Sequence, residues 1–563
     1  TSFLAQHLLQ HSSAASREQA QPPLVDSGSS KDESAVQQSV RDSDANSGID
    51  SSTDNHDNDD DAKHDNDDAK EEGEAKYDEQ NEVDADQGGK HDAKQTHHEL
   101  AGLKCDAHGG PSEDVAAEMV YWEDIPSDAL FKSHFKSDTE QQYMTFDIDK
   151  GGFNNIRMNL ETMVALAAVT GRTLVLPPDK SINHIHKDEK GRKQHSSMFD
   201  FFHMESISNE HAGVQIISME EFLTTVAMTG QMRNATSGEA TFPPYNRTNW
   251  DGRSKDEVTE LGEWLRVAAH SIIWDSEQCV VAVPKSNDPK DTQRLYDDYN
   301  EVMRDGGFAS FEKYVGKPFP VDAPFKDRLQ ENWAGREKLC TYDAEMQAAQ
   351  TIHFPVFSTY ADDDEASQDG VYARLLIHFY ALLVFQDWRD DLWTKRFIRD
   401  HMRYADKIQC AAARIVNAVR QKARASARQP DQDGLFDSFH IRRGDFSDWY
   451  DGTTPSAEEI VEVTKGDLRK GSTVYIATDE SNKTFFDPLR EDHDVFFLNN
   501  FQEELGDLEP RYFGMVDQLV AAKGRTFFGC WFSTFSGYIN RLRGYHADNQ
   551  KLPGYREGII DSY

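Results

Sequence analysis

The chain has 563 residues and a formal net charge of −40, and its length suits roughly two to four domains. Such an acidic balance argues against a nucleic-acid partner, because binding to phosphates depends on clustered Lys and Arg. No apolar run reaches the roughly 18 residues that a membrane-spanning helix needs. The sequence begins at Thr1 rather than Met, so we expect a processed or missing upstream segment, and an upstream membrane anchor stays open.

Residues 1–115 are predicted to form a disordered acidic tail or stalk. Between Arg41 and Leu100 there are 21 Asp and Glu residues and 6 Lys and Arg residues, a net charge of −15 that leaves −25 for the rest of the chain. Such a tract cannot bury enough apolar surface to offset the entropy lost on ordering. We interpret it as a solvated spacer without a defined metal site.

The five cysteines are far apart and form no CxxC pair, which argues against a structural zinc site. One or two disulfides with one thiol left over are compatible with this spacing. Three glycosylation sequons favour a secretory lumen, although a chain of this length carries some by chance. They begin at Asn234, Asn246 and Asn482.

Regular structure is predicted to begin with a strand at Tyr143–Ile148, followed by a glycine-rich loop at Gly151–Asn155. A helix over Ile156–Thr170 and a strand over Arg172–Leu176 come next, with Gly171 ending the helix. This order is typical of the opening unit of a doubly wound α/β domain. The two glycines permit close backbone approach, and Asn154, Asn155 and Arg157 favour a polar ligand over a simple tight turn.

The middle of the chain, from Asp179 to Ala427, is less regular and contains no catalytic constellation. We predict a strand at Val280–Val283, an apolar helix at Val371–Phe385 and a linking helix at Tyr404–Ala427. Three histidines in this part are interpreted as loop residues rather than metal ligands: His184, His186 and His195.

The α/β pattern resumes in the last third, where strands alternate with helices and therefore pair in parallel. The predicted strands are Phe436–Ile441, Thr473–Ala477, Asp494–Leu498 and Arg525–Gly529. The predicted helices are Asn482–Arg490, Tyr512–Ala522 and one that opens at Ser533 and Thr534.

Polar residues follow three of these strands, and ligands in such sheets bind just past the carboxyl ends of the strands. They are Arg442 and Arg443, Asp479 and Glu480, and Ser533 and Thr534. Helix capping alone explains a serine or an aspartate at such a point. It does not explain two adjacent arginines, which favour an anionic ligand.

Four segments in this order resemble the GDP-fucose protein O-fucosyltransferase superfamily, closest to its fungal, algal and plant branches. They are GGFNNIR (Gly151–Arg157), HIRRGDF (His440–Phe446), YIATDE (Tyr475–Glu480) and FSTFS (Phe532–Ser536). The resemblance covers residues 140–547. It implies an α/β fold of the GT-B type, in which two Rossmann-like domains face a cleft.

The resemblance also implies a domain division and a reaction. The acceptor-side domain is expected at 116–425, with helical insertions, and the GDP-sugar-binding domain at 426–563. The implied reaction is an inverting transfer of fucose from GDP-fucose to a hydroxyl of a protein or glycan, with no cofactor and no metal. In such an enzyme a guanidinium neutralises the departing diphosphate where others use Mg²⁺.

By motif position, the resemblance implies catalytic roles for Arg442 and for Asn155, the latter near the sugar and acceptor. Further residues are implied to bind the GDP-sugar, with Asp517 near the guanine. They are Gly152, Phe153, Asn154, His440, Asp445, Asp479, Asp517, Ser533, Thr534 and Phe535. Some relatives carry a glutamate as general base where this chain has Gly151, so the base is left open between Asp147, Asp149 and no carboxylate at all.

Two other functions remain open from the sequence. One is transfer of a different sugar, rhamnose or mannose, to a cell-wall glycan. The other is a non-catalytic sugar-binding or adhesion protein, since Arg443, Gly444 and Asp445 spell an adhesion tripeptide. For the enzyme we expect the lumen of the Golgi or the endoplasmic reticulum, with a type II membrane anchor as an option.

Overall fold

A computed structural model describes residues 102–549, except for short gaps and four longer ones. The omitted residues are 124, 126–127, 150, 183–184, 186–194, 205–206, 209–210, 212, 242–254, 276–278, 304–337, 356–382, 445–454 and 531–532. Residues 1–101 and the sequon at Asn246 therefore lie outside the described residues.

The strands of the described residues are mostly short and strongly apolar. They are β1 (Tyr143–Phe146), β2 (Thr173–Leu176), β3 (Lys180–Ser181), β4 (His195–Ser196), β5 (Ile216–Ser218), β6 (Ile272–Ile273), β7 (Cys279–Val283), β8 (Lys338–Thr341), β9 (Thr351–Phe354), β10 (Leu383–Phe385), β11 (Asp437–Ile441), β12 (Thr473–Thr478), β13 (Asp494–Phe496) and β14 (Phe527–Phe528).

The α-helices of the same residues range from single turns to five turns. They are α1 (Glu113–Ala116), α2 (Phe153–Thr170), α3 (Met219–Thr225), α4 (Lys255–Ala268), α5 (Pro289–Met303), α6 (Ala344–Ala348), α7 (Trp388–His401), α8 (Asp406–Arg424), α9 (Ala457–Thr464), α10 (Asp487–Asp492), α11 (Gln502–Leu505), α12 (Phe513–Ala522) and α13 (Thr534–Asn549).

Three parallel sheets carry the fold, which confirms the predicted α/β class. The amino-terminal half has a five-stranded sheet in the order β5-β2-β1-β9-β6 and a three-stranded sheet in the order β10-β7-β8. The carboxyl-terminal half has a four-stranded sheet in the order β13-β12-β11-β14. Parallel neighbours require crossover connections, and here helices supply them.

Helix α2 shows how the sequence produces its local structure. Gly152 precedes the helix with extended backbone, and Gly171 ends it at φ 71°, a conformation that glycine adopts without a Cβ penalty. All but one of its residues are buried, including Leu160, Met163 and Val164. A helix that is buried all round packs between layers, and α2 contacts β2, α7 and α13.

The two halves share one hydrophobic core. Side chains of the amino-terminal half, such as Leu160, and of the carboxyl-terminal half, such as Val520 and Ile539, belong to a single cluster of buried residues. The predicted linking helix is α8, and it packs against α12 and β12. The division into domains at 425 and 426 remains a prediction.

Packing begins earlier than the predicted end of the tail at residue 115. Leu103 and Cys105 are buried, and a disulfide joins Cys105 to Cys410 of α8. A second disulfide joins Cys279 of β7 to Cys340 of β8, and Cys530 is a free thiol. Two disulfides with one thiol left over agree with the cysteine count.

The predicted apolar helix at Val371–Phe385 is wrong where the structure describes it. Residues 371–382 lie outside the described residues, and Leu383–Phe385 form β10, paired with β7. A short apolar run suits a buried strand as well as a helix, and here pairing decides. Most of the other predicted elements are present with ends shifted by a few residues.

No helix in the described part of the chain is long and apolar enough to cross a bilayer.

Candidate active site

The carboxyl end of β11 holds a buried histidine. His440 is buried, and its Nδ1 lies 2.7 Å from the hydroxyl of Ser536 in the first turn of α13. Its ring stacks on Phe535 with centroids 4.4 Å apart. Burial, together with the charge of Arg442, lowers the pKa of His440 to about 3, so the imidazole is neutral at physiological pH.

Ser536 holds the ring of His440 in place. The Ser536 hydroxyl accepts a hydrogen bond from the backbone N–H of Cys530 at 2.8 Å. A hydroxyl oxygen has a second lone pair as well as a proton, so the hydrogen bond with Nδ1 forms with either tautomer of the neutral ring. The contact occupies Nδ1 and leaves Nε2 as the other polar atom of the ring. The sequence reasoning missed Ser536, although it is the last residue of the FSTFS motif.

Ser533 and Thr534 open α13 beside this histidine. Ser533 is buried, and within the described residues its Oγ has no hydrogen-bond partner. Thr534 is the first residue of the helix and is partly exposed. A helix N-terminus attracts anions because its first N–H groups are free and its dipole is positive there. An unsatisfied buried hydroxyl at the same point fits a bound diphosphate oxygen.

The two arginines after β11 have different surroundings. Arg443 donates from Nε to Glu480 at 3.0 Å and from Nη1 to the carbonyl of Pro455, and it lies 3.9 Å above the ring of Phe485. Arg442 has a side chain that is 26% exposed, and its Nε is 4.0 Å from Asp479. Arg443 is therefore part of the framework, while Arg442 reaches the rim of the sheet.

Asp479, after β12, holds the turn that carries these arginines. It accepts a hydrogen bond from the backbone N–H of Arg443 at 2.8 Å. A Cβ at Gly444 would lie 2.9 Å from its carboxylate, so only glycine permits this close approach. Asp445 lies outside the described residues, and the contacts of Arg443 are not those of an exposed adhesion tripeptide.

Asp517 of α12 is partly enclosed and accepts a hydrogen bond from the hydroxyl of Tyr475 at 2.6 Å. Removal from water raises the pKa of Asp517 to about 7, although Tyr475 and Lys483 both favour the charged form. Burial also lowers the pKa of Lys483. This carboxyl group can therefore change its charge near neutral pH.

Side chains next to Gly151 fill the space around the glycine-rich loop. A Cβ at Gly151 would lie 2.3 Å from the amide of Asn155 and 2.6 Å from Asp149, whose carboxylate accepts the N–H of Gly151. A side chain at this position would therefore require Asn155 and Asp149 to move. Gly152 precedes α2 without a side-chain cap.

Two residues predicted to bind the donor are buried and make contacts within the protein. Phe153 packs against Phe201 with ring centroids 4.8 Å apart. Asn154 is buried, and its Oδ1 accepts a hydrogen bond from Gln518 at 3.0 Å. Arg157 forms an ion pair with Glu161 inside the core. The binding roles of Phe153 and Asn154 stay predictions.

The glycine-rich loop and the α13 segment nevertheless meet. Gln518, which binds Asn154, also donates to the backbone carbonyl of Phe535 at 3.3 Å. Phe535 in turn stacks on His440. The structure thus brings together residues from 154, 440, 518 and 533–536, which are far apart in the sequence.

A second feature lies at the carboxyl edge of the five-stranded sheet. A cavity of about 80 Å³ is lined by Thr145, Asp147, His353 and Arg266, among others. His353 contacts the hydroxyl of Thr145 at 3.0 Å and lies 3.4 Å from Asp147. Within the described residues, no group of three or more His, Cys, Asp or Glu side chains is arranged to hold a metal ion.

The sequence matches a known protein family. The sequence pattern of the family described as GDP-fucose protein O-fucosyltransferase matches residues 143–546. The chain belongs to the GDP-fucose protein O-fucosyltransferase family. The match spans the amino-terminal sheet, the strand end at His440 and helix α13.

One relative within the O-fucosyltransferase family is GDP-fucose protein O-fucosyltransferase 2 of Drosophila melanogaster. It is 29% identical over 204 residues, which cover 32% of this chain and 41% of the relative. The chain thus spans less than half the length of the relative that it matches.

Solved structures of fucosyltransferases also overlap with the chain. NodZ from Bradyrhizobium covers 72% of this chain and 94% of its own at 13% identity and a TM-score of 0.31. POFUT1 in complex with GDP covers 72% of this chain and 97% of its own at 13% identity and the same TM-score of 0.31.

Proposed function

We propose that the protein transfers fucose from GDP-fucose to a hydroxyl group of a protein or glycan acceptor. The observation that carries the proposal is the cluster at the end of β11. It combines a neutral, buried His440, the unsatisfied hydroxyl of Ser533 at the start of α13 and the guanidinium of Arg442 at the rim. Membership of the O-fucosyltransferase family supports the choice of donor.

The proposed reaction is a single displacement that inverts the anomeric centre. The acceptor oxygen attacks the anomeric carbon of fucose from the face opposite the phosphate. The bond between that carbon and the phosphate oxygen breaks, its electron pair leaves with GDP, and the proton of the acceptor hydroxyl passes to Asp147, to Asp149 or to water. Asn155, in the first turn of α2, is proposed to lie near the sugar and the acceptor.

Arg442 is proposed to supply the positive charge that the leaving diphosphate requires, without a metal ion. A guanidinium binds two phosphate oxygens at once and stays charged at every relevant pH. Its effect is largest on the charge that develops as the bond breaks. Ser533, Thr534 and the N–H groups of α13 would bind the same diphosphate.

His440, Phe535, Asp479 and Asp517 would hold the nucleoside part of the donor. The Nε2 atom of His440 and the ring of Phe535 suit polar and stacking contacts with a nucleotide. A carboxylate at Asp517 suits guanine, whose N1–H and exocyclic amino group both donate hydrogen bonds. These contacts would select a guanine nucleotide over a uracil nucleotide.

A thermal-shift comparison tests this donor. A ligand that binds only the folded state raises the melting temperature by mass action, by about 2.7 kcal/mol of stability at a hundredfold excess over Kd. We expect GDP and GDP-fucose to raise the melting temperature and UDP-glucose to leave it unchanged. GDP-mannose at the same concentration tests the alternative sugar. A larger shift with UDP-glucose than with GDP-fucose would contradict the proposal.

We also propose that the protein works in the lumen of the endoplasmic reticulum or the Golgi. Two disulfides among the described residues support an oxidising compartment. Asn482 is exposed, and Asn234 is partly exposed. The protein expressed in a secretory host should lose mass on treatment with an N-glycosidase, and no change of mass would argue against this compartment.

A further inference from the structure

Gln518 of α12 is a buried side chain with every amide group engaged. It is 1% exposed, and its Oε1 accepts a hydrogen bond from the hydroxyl of Tyr404 at 2.7 Å. Its Nε2 donates to Oδ1 of Asn154 at 3.0 Å and to the carbonyl of Phe535 at 3.3 Å. One side chain therefore joins the start of α2, Tyr404 just before α8 and the start of α13.

The chemistry of these partners allows one orientation of the amide. A backbone carbonyl such as that of Phe535 only accepts hydrogen bonds, so the NH₂ group must face it. Once this is fixed, Oε1 faces Tyr404 and the second N–H faces Asn154. The bond to Gln518 then defines the orientation of the Asn154 amide as well.

The position of Gln518 relates it to the reaction. Asn154 is adjacent to Asn155 in the first turn of α2, and Phe535 stacks on His440. We propose that Gln518 is a positioning residue, which holds the glycine-rich loop of the amino-terminal half in register with the nucleotide-binding segment of the carboxyl-terminal half. This inference rests on the proposed function, because it assigns the α13 segment to GDP.

The glycine-rich loop and the nucleotide-binding segment are far apart in the sequence, so non-covalent contacts must hold them together. In a buried site, loss of one hydrogen-bond partner leaves the other group unsatisfied, which costs free energy. Occupation of the nucleotide site should therefore restrict the motion of the loop through Gln518. A displacement of reacting groups by about 1 Å can reduce turnover by about a hundredfold.

The matched control is Gln409 of α8. It is as deeply buried as Gln518, but within the described residues neither its Oε1 nor its Nε2 has a hydrogen-bond partner. Gln518→Met and Gln409→Met make the same chemical change and preserve volume. Only the former removes the link between Asn154 and Phe535.

Hydrogen exchange with GDP as the probe tests the proposal. In the wild type we expect GDP to slow exchange both at 533–536 and at 151–155, which exclude the direct contact between Arg157 and Tyr538. In Gln518→Met, GDP should still slow exchange at 533–536 but not at 151–155, while Gln409→Met behaves like the wild type. With GDP-fucose, Gln518→Met should lower kcat about tenfold or more, and Asn154→Ala should then add less than it does in the wild type.

The outcomes separate the two proposals. If GDP slows exchange at 533–536 but leaves 151–155 unchanged in the wild type, the role of Gln518 is overturned and the donor site stands. Full protection of 151–155 in Gln518→Met overturns it as well. If GDP protects neither segment of the wild type, the proposed function fails, and the role of Gln518 fails with it.

Discussion

Of the two arginines that follow β11, one is part of the protein framework and the other is assigned to the ligand. Arg443 is fixed by Glu480, Pro455 and Phe485, whereas Arg442 reaches the rim near Asp479. The sequence places the two arginines side by side. In the structure Arg443 has a framework role with Glu480 as partner, and Asp445 is outside the described residues. Only the fold, which sets β11 beside β12, distinguishes them physically.

A pH-dependent prediction belongs to Asp517. Burial raises the pKa of its carboxyl group to about 7, so the carboxylate that would accept hydrogen bonds from guanine disappears as the pH falls through 7. If only the ionised form binds, GDP affinity should fall about tenfold between pH 8 and pH 6. Calorimetric titration at both values measures this.

Asp517→Asn is the control for any pH dependence of binding that comes from protonation of GDP itself. In this variant binding should be weaker, and the part of the pH dependence that Asp517 causes should be absent. An unchanged slope in Asp517→Asn would contradict the assignment. The same pKa shift affects folding with the opposite sign: because the folded pKa is raised, its contribution to stability is present below pH 4 and is lost as the pH rises through 7.

At the scale of elements, α2 and α13 are joined by a buried charge cluster. Arg157 and Glu161 of α2 form an ion pair at 2.5 Å, and Arg541 of α13 binds the second oxygen of Glu161 at 2.6 Å. The guanidinium of Arg157 also lies 3.2 Å from the ring centre of Tyr538. The cluster joins a helix of each half.

Removal of the shared carboxylate should destabilise the fold. Glu161→Gln leaves two buried guanidinium groups without their counter-charge, and we expect the free energy of unfolding to fall by about 3 kcal/mol. Urea denaturation measures this. The matched control is Glu462→Gln, because Glu462 is 71% exposed in its pair with Lys465 and should change stability by about 0.5 kcal/mol or less. Equal effects of the two substitutions would contradict a structural role for the cluster.

Helices and strands could be predicted from the sequence where a single local pattern defines them. Gly151, Gly152 and Gly171 bracket α2, and the apolar runs after Phe436 become β11 and β12. The contacts of Gln518 with Asn154 and of Ser536 with His440 could not be predicted, because they join residues more than 90 positions apart. Phe153 and Asn154 matched a binding motif, yet packing against Phe201 and Gln518 decides where their side chains lie.

At the scale of the whole molecule, a disulfide ties the amino-terminal segment to the carboxyl-terminal half. Cys105 and Cys410 are 305 residues apart in the sequence, and Cys279 and Cys340 are 61 apart. Composition alone assigns residues 102–115 to the tail. That segment packs because Leu103 and Cys105 are buried and bound to α8, which is a long-range contact that local composition does not encode.

Removal of either disulfide should cost stability, and the cost should rise slowly with the length of the loop that the disulfide closes. The double substitution Cys105→Ser with Cys410→Ser should lower the free energy of unfolding by about 1.5 kcal/mol more than Cys279→Ser with Cys340→Ser, because the longer loop loses more entropy in the unfolded state on cross-linking. Denaturation without reductant measures both. A smaller loss for the Cys105 pair would argue that the amino-terminal segment contributes little to the folded state.

The central claim is that Arg442, at the end of β11, stabilises the leaving diphosphate during sugar transfer from a GDP-sugar. The most direct measurement is the rate of GDP release from GDP-fucose, with an acceptor present, by the wild type, Arg442→Ala and Lys470→Ala. Lys470 is 86% exposed and serves as the control for loss of a positive charge. We predict that Arg442→Ala lowers the rate by about a hundredfold or more with an unchanged melting temperature, and that Lys470→Ala keeps the wild-type rate. A wild-type rate in Arg442→Ala would contradict the claim.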